Sequence, residues 1–185
     1  MTQHPDSQAT KGPTEALPPK RRSLDFLVLL TVPLVLAIDQ ITKQLVRANL
    51  DLGESWPATG FFRLTHGTNT GTAFGLFPNQ TLVLIIASVI AIGFLIYFYR
   101  THALPMPLLR FAIGLQLGGA LGNLVDRLRT GAVVDFFDVG RWPIFNVADS
   151  SIVVGMALLV GTLILTGKDK EPSNEPEPGP SSDSP

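Results

Sequence analysis

Three aspartates, Asp135, Asp138 and Asp149, lie within one otherwise apolar stretch, VVDFFDVGRWPIFNVADS, residues 133–150. Two carboxylates held in a poorly hydrated cleft cannot both ionise at low cost, so they share a proton and the pKa of one rises. The ionised member can then take a proton from water while the protonated member polarises a carbonyl group. This is the chemistry of an aspartic hydrolase, and it requires no cysteine, histidine or metal.

The composition excludes several other kinds of site. The 185 residues contain no cysteine, which rules out disulfides, thiol nucleophiles and cysteine-ligated metals. The three histidines are far apart and have no metal-ligand spacing, so we expect neither a metal nor another cofactor. A net charge of −1 provides no basic field for nucleic acid.

The carboxylates must be positioned by apolar segments, because the mean hydropathy is +0.30 and the apolar residues come in four blocks. The blocks cover residues 24–38, 81–98, 111–125 and 151–166. A helix needs roughly 20 residues to cross the hydrocarbon core, so we expect helices one and three to continue into polar residues. We predict an all-α membrane protein, a four-transmembrane-helix bundle over 23–166, with disordered cytoplasmic tails at 1–22 and 167–185.

The distribution of lysine and arginine predicts the orientation of this bundle. One side of four alternating helices carries most of the basic residues that flank them, namely Lys20, Arg21, Arg22, Arg100, Arg110, Lys168 and Lys170. The opposite side has Arg63, Arg129 and Arg141 in its loops with acids among them, so the bias is modest. By the positive-inside rule the more basic side is the cytoplasm, so both termini are cytoplasmic and loops 44–80 and 127–148 face outward. The first block follows KRR like a signal peptide, but no A-x-A-like cleavage site follows it, which favours a retained span.

In this topology the polar residues of the spans converge at the outer membrane boundary. They are Asp39, Gln40 and Lys43 on helix one, Asn123, Asp126 and Arg127 on helix three, and Asn146 and Asp149 at the start of helix four. Ionisable residues at such a depth are costly unless they are paired or hydrated, and they therefore indicate a functional site.

Structural interpretations of the same residues stay open. Asp39 and Lys43 have the spacing of an i,i+4 ion pair, and Asp126 with Arg127 has the composition of a helix end meeting water. Asn146 or Asp149 could cap helix four. Asp138 is interpreted as a solvated loop acid outside the site.

Two further segments have recognisable local patterns. Phe62 and Leu64 alternate with polar residues, which predicts a short strand, and GTNTG at 67–71 has turn chemistry. We expect a small extracytoplasmic β element on the outer surface and a second, flexible extracytoplasmic loop. Asn69 is then a turn residue or a support for the site. Glycines at four-residue spacing, Gly114, Gly118 and Gly122, predict that helix three packs inside the bundle.

Two other functions are compatible with some of these residues. Ser150 or Ser151 with Lys43 could form a Ser–Lys pair, although no spacing favours it and there is no G-x-S-x-G. Buried carboxylates with a lysine could also form an ion path. A path needs polar groups through the whole membrane depth, whereas the inner halves of helices two and four are apolar.

Five ordered motifs resemble one known family. They are DQITK at 39–43, NTGTAFG at 69–75, GGALGNLVDR at 118–127, GAVVDF at 131–136 and FNVADS at 145–150. In this order, across about residues 24–166, they resemble the lipoprotein signal peptidases, also called signal peptidase II. Any one motif alone would be weak, but the five together are highly specific.

The resemblance implies an aspartic endopeptidase of the bacterial inner membrane, with its active site at the outer leaflet. Such enzymes cleave diacylglyceryl-modified prolipoproteins just before the lipidated cysteine, work in membrane lipid without an evident obligate protein partner, and are inhibited by globomycin. The family's catalytic aspartates match Asp135 and Asp149. Its supporting residues match Asp39, Lys43, Asn69, Asn123, Asp126, Arg127 and Asn146. The segment 136–148 is shorter than in many members, and the acidic tail is not part of the family pattern.

Overall fold

The computed structural model describes residues 26–71, 80–102 and 106–168. Four helices and three strands follow in the order α1 (Phe26–Asn49), β1 (Ser55–Trp56), β2 (Arg63–Asn69), α2 (Thr81–Thr101), α3 (Pro107–Thr130), β3 (Val133–Asp138) and α4 (Val147–Lys168). The predicted tail at 1–22, nearly all of the tail at 167–185, and the end of the NTGTAFG motif lie outside the described residues.

All four helices are long and apolar enough to cross a membrane, as predicted. Helices α1 and α3 continue beyond their apolar blocks into polar residues, which also matches the prediction. Local chemistry sets the ends of α3. Pro107 occupies its first turn, where the missing N–H has no intrahelical partner to lose. Gly131 ends it with φ of 77°, and its N–H donates to the Arg127 carbonyl.

Helix α3 is the centre of the bundle and packs against the other three helices. Its small residues permit this, because a Cβ atom at Gly118 would lie 2.7 Å from Cβ of Val35, and one at Gly119 would lie 2.4 Å from the Ala148 carbonyl oxygen. Eleven of its residues are buried, whereas α2 has none. The predicted interior position of helix three is therefore confirmed.

A three-stranded antiparallel sheet of order β1-β2-β3 sits at one end of the bundle. The predicted small β element is confirmed, and it extends further than expected at two places. The predicted turn at 67–71 is strand as far as Asn69, and the predicted second loop contains β3, which pairs Asp135 with Gly67 and Val133 with Asn69. The sequence VVDFFD is rich in β-branched and aromatic residues, and pairing with β2 turns this propensity into a strand.

A small apolar cluster fixes the sheet to the helices. Val134 and Phe136 of β3 pack with Val46 of α1, and Val147 of α4 packs against the same group. This contact places β3 beside the end of α1 and the start of α4, where the predicted polar residues also lie.

Candidate active site

A buried ion cluster joins α1 and α3 beneath the sheet. Lys43 Nζ lies 2.8 Å from Asp39 Oδ2 and 3.0 Å from Asp126 Oδ2, and all three side chains are essentially inaccessible to solvent. A buried lysine is costly unless it is paired and fully hydrogen-bonded. Here two carboxylates and the Asn123 Oδ1 atom, at 2.9 Å, surround it. The predicted i,i+4 ion pair is thus present as part of a larger network.

The same two carboxylates hold backbone atoms of the neighbouring elements. Asp39 Oδ1 accepts the N–H of Ala148 at 2.9 Å, in the first turn of α4. Asp126 Oδ2 accepts the N–H of Val134 at 3.3 Å, in β3. Consequently the cluster fixes the two elements that carry Asp135 and Asp149.

Asp135 projects from β3 and is buried. Its Oδ1 accepts a hydrogen bond from Asn146 Nδ2 at 2.7 Å, and its Oδ2 accepts one from Asn69 Nδ2 at 3.1 Å. Burial, together with the nearby Asp149 carboxylate, raises the pKa of Asp135 to about 6, although the two amide donors oppose the shift. Asn69 Oδ1 also accepts the Gly71 N–H, so this one side chain contacts both Asp135 and the chain just after β2.

Asp149 lies in the first turn of α4 and forms a reciprocal cap with Asn146. Asn146 Oδ1 accepts the Asp149 N–H at 2.9 Å, and Asp149 Oδ2 accepts the Asn146 N–H at 3.3 Å. This is the geometry of a capping box. Asp149 Oδ1 accepts a further hydrogen bond, from Asn123 Nδ2 at 2.7 Å. The capping interpretation and the site interpretation therefore describe the same residues.

Two asparagines connect the ion cluster with both aspartates. Asn123 Oδ1 accepts from Lys43 Nζ, and its amide donates to Asp149. Asn146 Nδ2 donates to Asn123 Oδ1 at 3.2 Å as well as to Asp135. Each asparagine thus has its amide oriented by one neighbour and presented to a carboxylate of the pair.

Asp135, Asp149 and Arg127 line one cavity of about 960 Å³. Its walls come from β2, the loop before α4, and the apolar flank of α4 with one residue of α2. The wall residues are Gly67, Thr68, Asn69, Gly71, Leu84, Trp142, Pro143, Ile144, Phe145, Ser150, Ile152, Val153 and Val154. The cavity therefore brings two carboxylates from different elements to a largely apolar pocket.

Comparison with protein-family models decides what this arrangement belongs to. Residues 31–165 match the model described as signal peptidase (SPase) II. The chain belongs to the signal peptidase II family. It is thus a protease of the lipoprotein signal peptidase family, whose members remove signal peptides from prolipoproteins.

Individual relatives of this signal peptidase II agree with that assignment. The lipoprotein signal peptidase of Moorella thermoacetica is 49% identical over 138 residues, which is 74% of this chain and 92% of the relative. That of Halothermothrix orenii is 45% identical over 136 residues, 72% of this chain and 92% of the relative. A solved bacterial membrane enzyme superposes with a TM-score of 0.74 at 33% identity, covering 78% of this chain and 92% of that one.

Asp138 is not the solvated loop acid that was predicted. It lies on β3 with only 4% of its surface exposed, near the periphery of the fold. Its Oδ2 accepts from Arg63 and from the Thr65 hydroxyl, and its Oδ1 accepts the Gly140 N–H. Burial acts to raise the pKa of Asp138, but these donors outweigh it and hold that pKa below its ordinary value. Strand pairing creates this contact across 75 positions of sequence, so local pattern could not reveal it.

The structure does not place Lys43 with a serine. Ser150 and Ser151 donate to the carbonyls one turn earlier in α4, from Asn146 and Val147. Sequence reasoning missed Gln40 as a contributor, although it named the residue: Gln40 Nε2 lies 3.2 Å from Asp39 Oδ2 and 3.3 Å from Asp126 Oδ1. The family motif DQITK contained the signal. No local signal pointed to the backbone N–H groups that Asp39 and Asp126 accept.

The segment between β3 and α4 has no helix within its described residues 139–146. Instead it closes as a hairpin, because Phe137 N–H donates to the Phe145 carbonyl at 2.7 Å and Phe145 N–H returns the bond at 3.1 Å. Residues 142–145 of this segment line the cavity.

Proposed function

We propose that this chain is an intramembrane aspartic endopeptidase that cleaves diacylglyceryl-modified prolipoproteins just before the lipidated cysteine. Asp135 and Asp149 form its catalytic dyad. The observation that carries the proposal is the convergence of these two carboxylates, from β3 and α4, on one apolar-walled cavity in which their side-chain donors are neutral amides.

The two aspartates take different roles in this mechanism. Asp149 accepts donors from Asn123 and from the backbone at the start of α4, where the helix dipole favours negative charge. Asp149 therefore acts as the base that takes a proton from the attacking water. Asp135, with its pKa raised to about 6, is the member that holds the shared proton and donates it to the scissile carbonyl oxygen.

The bond changes then balance without a cofactor. The water oxygen bonds to the carbonyl carbon and gives its proton to Asp149, while the carbonyl oxygen takes the proton of Asp135. The carbon–nitrogen bond of the tetrahedral intermediate breaks, and Asp149 returns its proton to the leaving nitrogen. Asp135 recovers its proton from the intermediate's hydroxyl as the new carboxyl group forms.

The remaining residues of the site orient the dyad or the substrate. Asn69, Asn123 and Asn146 hold the carboxylates in place through the hydrogen bonds described above. Lys43, Asp39 and Asp126 fix the elements that carry them. Arg127 lines the cavity as its cationic member and binds polar atoms of the substrate beside the scissile bond.

The apolar walls explain why a peptidase site lies at the depth of a membrane. Val153 and Val154 line the cavity and are also exposed on the surface of α4, so the cavity is continuous with the lipid-facing side of the bundle. The acyl chains of a diacylglyceryl cysteine would lie along this surface. We place the chain in the bacterial inner membrane, with both termini cytoplasmic and the dyad at the outer leaflet.

Two alternatives are disfavoured by specific contacts. In the Ser–Lys alternative Lys43 would have to activate a serine, yet its nitrogen is engaged by two carboxylates and an amide oxygen. An ion path would need polar groups along the whole bundle. The ionic residues of the described helices instead cluster at the sheet end, apart from Arg100, Arg110 and Lys168 toward the opposite end.

The decisive substrate test compares two forms of one prolipoprotein, with and without the diacylglyceryl group, using purified enzyme in detergent or lipid. We expect cleavage of the lipid-modified form alone, a product that begins with the lipidated cysteine by mass spectrometry, and inhibition by globomycin. Equal cleavage of both forms, or cleavage at another bond, would contradict the proposal. Cleavage sensitive to Ser150→Ala or Ser151→Ala with both aspartates intact would favour the Ser–Lys alternative.

A further inference from the structure

Three residues of β2, Gly67, Thr68 and Asn69, line the cavity, and strand register shows which of them turns its backbone groups away from β3. His66 N–H donates to the Glu54 carbonyl at 2.9 Å and its carbonyl accepts the Gly53 N–H at 2.8 Å, so both groups point toward β1. Alternation along a regular strand gives the backbone groups of Thr68 the same direction. Because the register with β3 shifts between Leu64 and Gly67, this direction has to be checked from the pairing of Thr68 itself.

The opposite side of β2 supports the same direction for Thr68. Thr68 pairs with Val134 of β3. Val134 turns its N–H to Asp126 and its carbonyl to Asn146, away from β2. An antiparallel pair in which one member turns both groups outward is a non-hydrogen-bonded pair, so Thr68 also directs its N–H and carbonyl away from β3.

The β1 side of the sheet ends before it reaches this position. Strand β1 pairs only with Leu64 and Thr65, and the turn that precedes it extends the contact to His66. Within residues 26–71, 80–102 and 106–168, no strand lies beside Thr68. Thr68 is exposed, and it lines the cavity together with Gly67 and Asn69.

We propose that the substrate peptide adds to this edge as a fourth strand, pairing its backbone with the N–H and carbonyl of Thr68. The inference rests on the proposed function, because it names the occupant as the polypeptide to be cleaved. Addition of an extended peptide to an exposed strand edge is a common mode of peptide binding that needs little side-chain specificity. It suits an enzyme whose substrates share a lipid group rather than one sequence.

The position of the edge also relates the strand to the dyad. Asn69, the next residue, donates to Asp135, and Gly67 pairs with Asp135 while adding no side chain between edge and carboxylate. An added strand would lie about 10 Å from the β3 backbone, two strand spacings away, and a peptide advances about 3.3 Å per residue. The peptide must leave the edge and cross this distance to reach the dyad, so the residue paired with Thr68 is separated from the scissile bond.

Single amide-to-ester replacements in the lipid-modified substrate test this directly with wild-type enzyme. Each ester removes one backbone N–H and leaves the side chains unchanged. We expect kcat/KM to fall about tenfold at one position near the scissile bond, with little change at its two immediate neighbours, because successive N–H groups point to opposite sides. A uniform profile across the positions flanking the scissile bond would overturn the added strand.

Substitutions at Thr68 provide the reciprocal test. Thr68→Pro removes the backbone N–H at an edge where proline is tolerated, and we expect KM to rise about tenfold. Thr68→Ala keeps the N–H and should raise KM far less. An equal rise of KM in the two variants would overturn the proposal. If Thr68→Pro does not fold, the ester profile decides the question. Cleavage of the lipid-modified, all-amide parent substrate separates the two hypotheses. Its absence contradicts the proposed function, whereas normal cleavage with a uniform ester profile contradicts the strand alone.

Discussion

Two pairs of aspartates lie side by side in this bundle, and they differ in what surrounds them. Asp39 and Asp126 share a lysine ammonium at 2.8 and 3.0 Å. Asp135 and Asp149 share no cation at contact distance among the described residues, although Arg127 lines the same cavity, and their side-chain donors are asparagine amides. Removing a charge from water is costly in both places, but only in the first pair does a contacting ammonium group offset that cost.

This difference explains how one small bundle can hold a rigid support and a reactive site in contact. The paired carboxylates are satisfied by a cation and by backbone N–H groups, so they have little capacity left for chemistry. The unpaired carboxylates are oriented but not neutralised, so a proton remains the easiest compensation and the two compete for it. Asn123 lies between the two pairs, since its side-chain oxygen accepts from Lys43 and its side-chain nitrogen donates to Asp149.

Removing the cation should have the largest effect on stability. Lys43→Met leaves two buried carboxylates without compensation and should lower the free energy of unfolding by about 3–5 kcal/mol. The matched control is Arg47→Met, one helical turn away. Arg47 lies 3.5 Å from Asp126 but is 25% exposed, so its loss should cost at most about 1 kcal/mol. Thermal unfolding in detergent measures both, and similar losses would contradict the contrast between the two pairs.

The pH dependence of the free energy of unfolding should reveal the raised pKa of Asp135, which belongs to the second pair. The pKa of Asp135 is raised to about 6, so the folded protein binds this proton more tightly than the unfolded chain does. The resulting stability is fully present below pH 4 and is lost as the pH rises through about 6. Asp135→Asn cannot ionise, so at pH 8 it should be more stable than wild type by on the order of 2 kcal/mol.

Unfolding temperatures of wild type and Asp135→Asn between pH 4 and 8 provide the measurement. The two curves should converge at low pH and separate above pH 6. Parallel curves would mean that Asp135 carries no raised pKa, and a wild type that gains stability as the pH rises would reverse the predicted sign.

The smallest effect is expected at Asp138, the aspartate of residues 133–150 that lies outside the proposed dyad. Asp138→Asn weakens a peripheral ion pair with Arg63, which is 30% exposed, and should cost about 1 kcal/mol of stability. Cleavage should remain close to that of wild type, because Asp138 does not line the cavity. If Asp138→Asn lost as much activity as a dyad variant, the boundary of the proposed site would be wrong.

Residue type and helix polarity were enough to predict the four spans and the convergence of polar residues at one end. They could not predict β3, because VVDFFD reads as an apolar loop until β2 provides a partner. They also could not decide between cap and site for Asn146 and Asp149, because the reciprocal cap leaves Asp149 Oδ1 and the Asn146 amide available to the site. The burial of Asp138 depends on Arg63, which only the folded sheet brings near.

The most direct test of the central claim is the cleavage rate of matched carboxyl-to-amide variants on the lipid-modified prolipoprotein. Each substitution keeps size and hydrogen-bonding shape while removing one ionisable group. The account predicts that Asp135→Asn and Asp149→Asn each lose at least about 10³-fold in rate without losing thermal stability, while Asp138→Asn cleaves normally. A folded Asp135→Asn or Asp149→Asn enzyme that retained more than about a tenth of the wild-type rate would contradict it, since that is a loss smaller than general acid–base catalysis supplies.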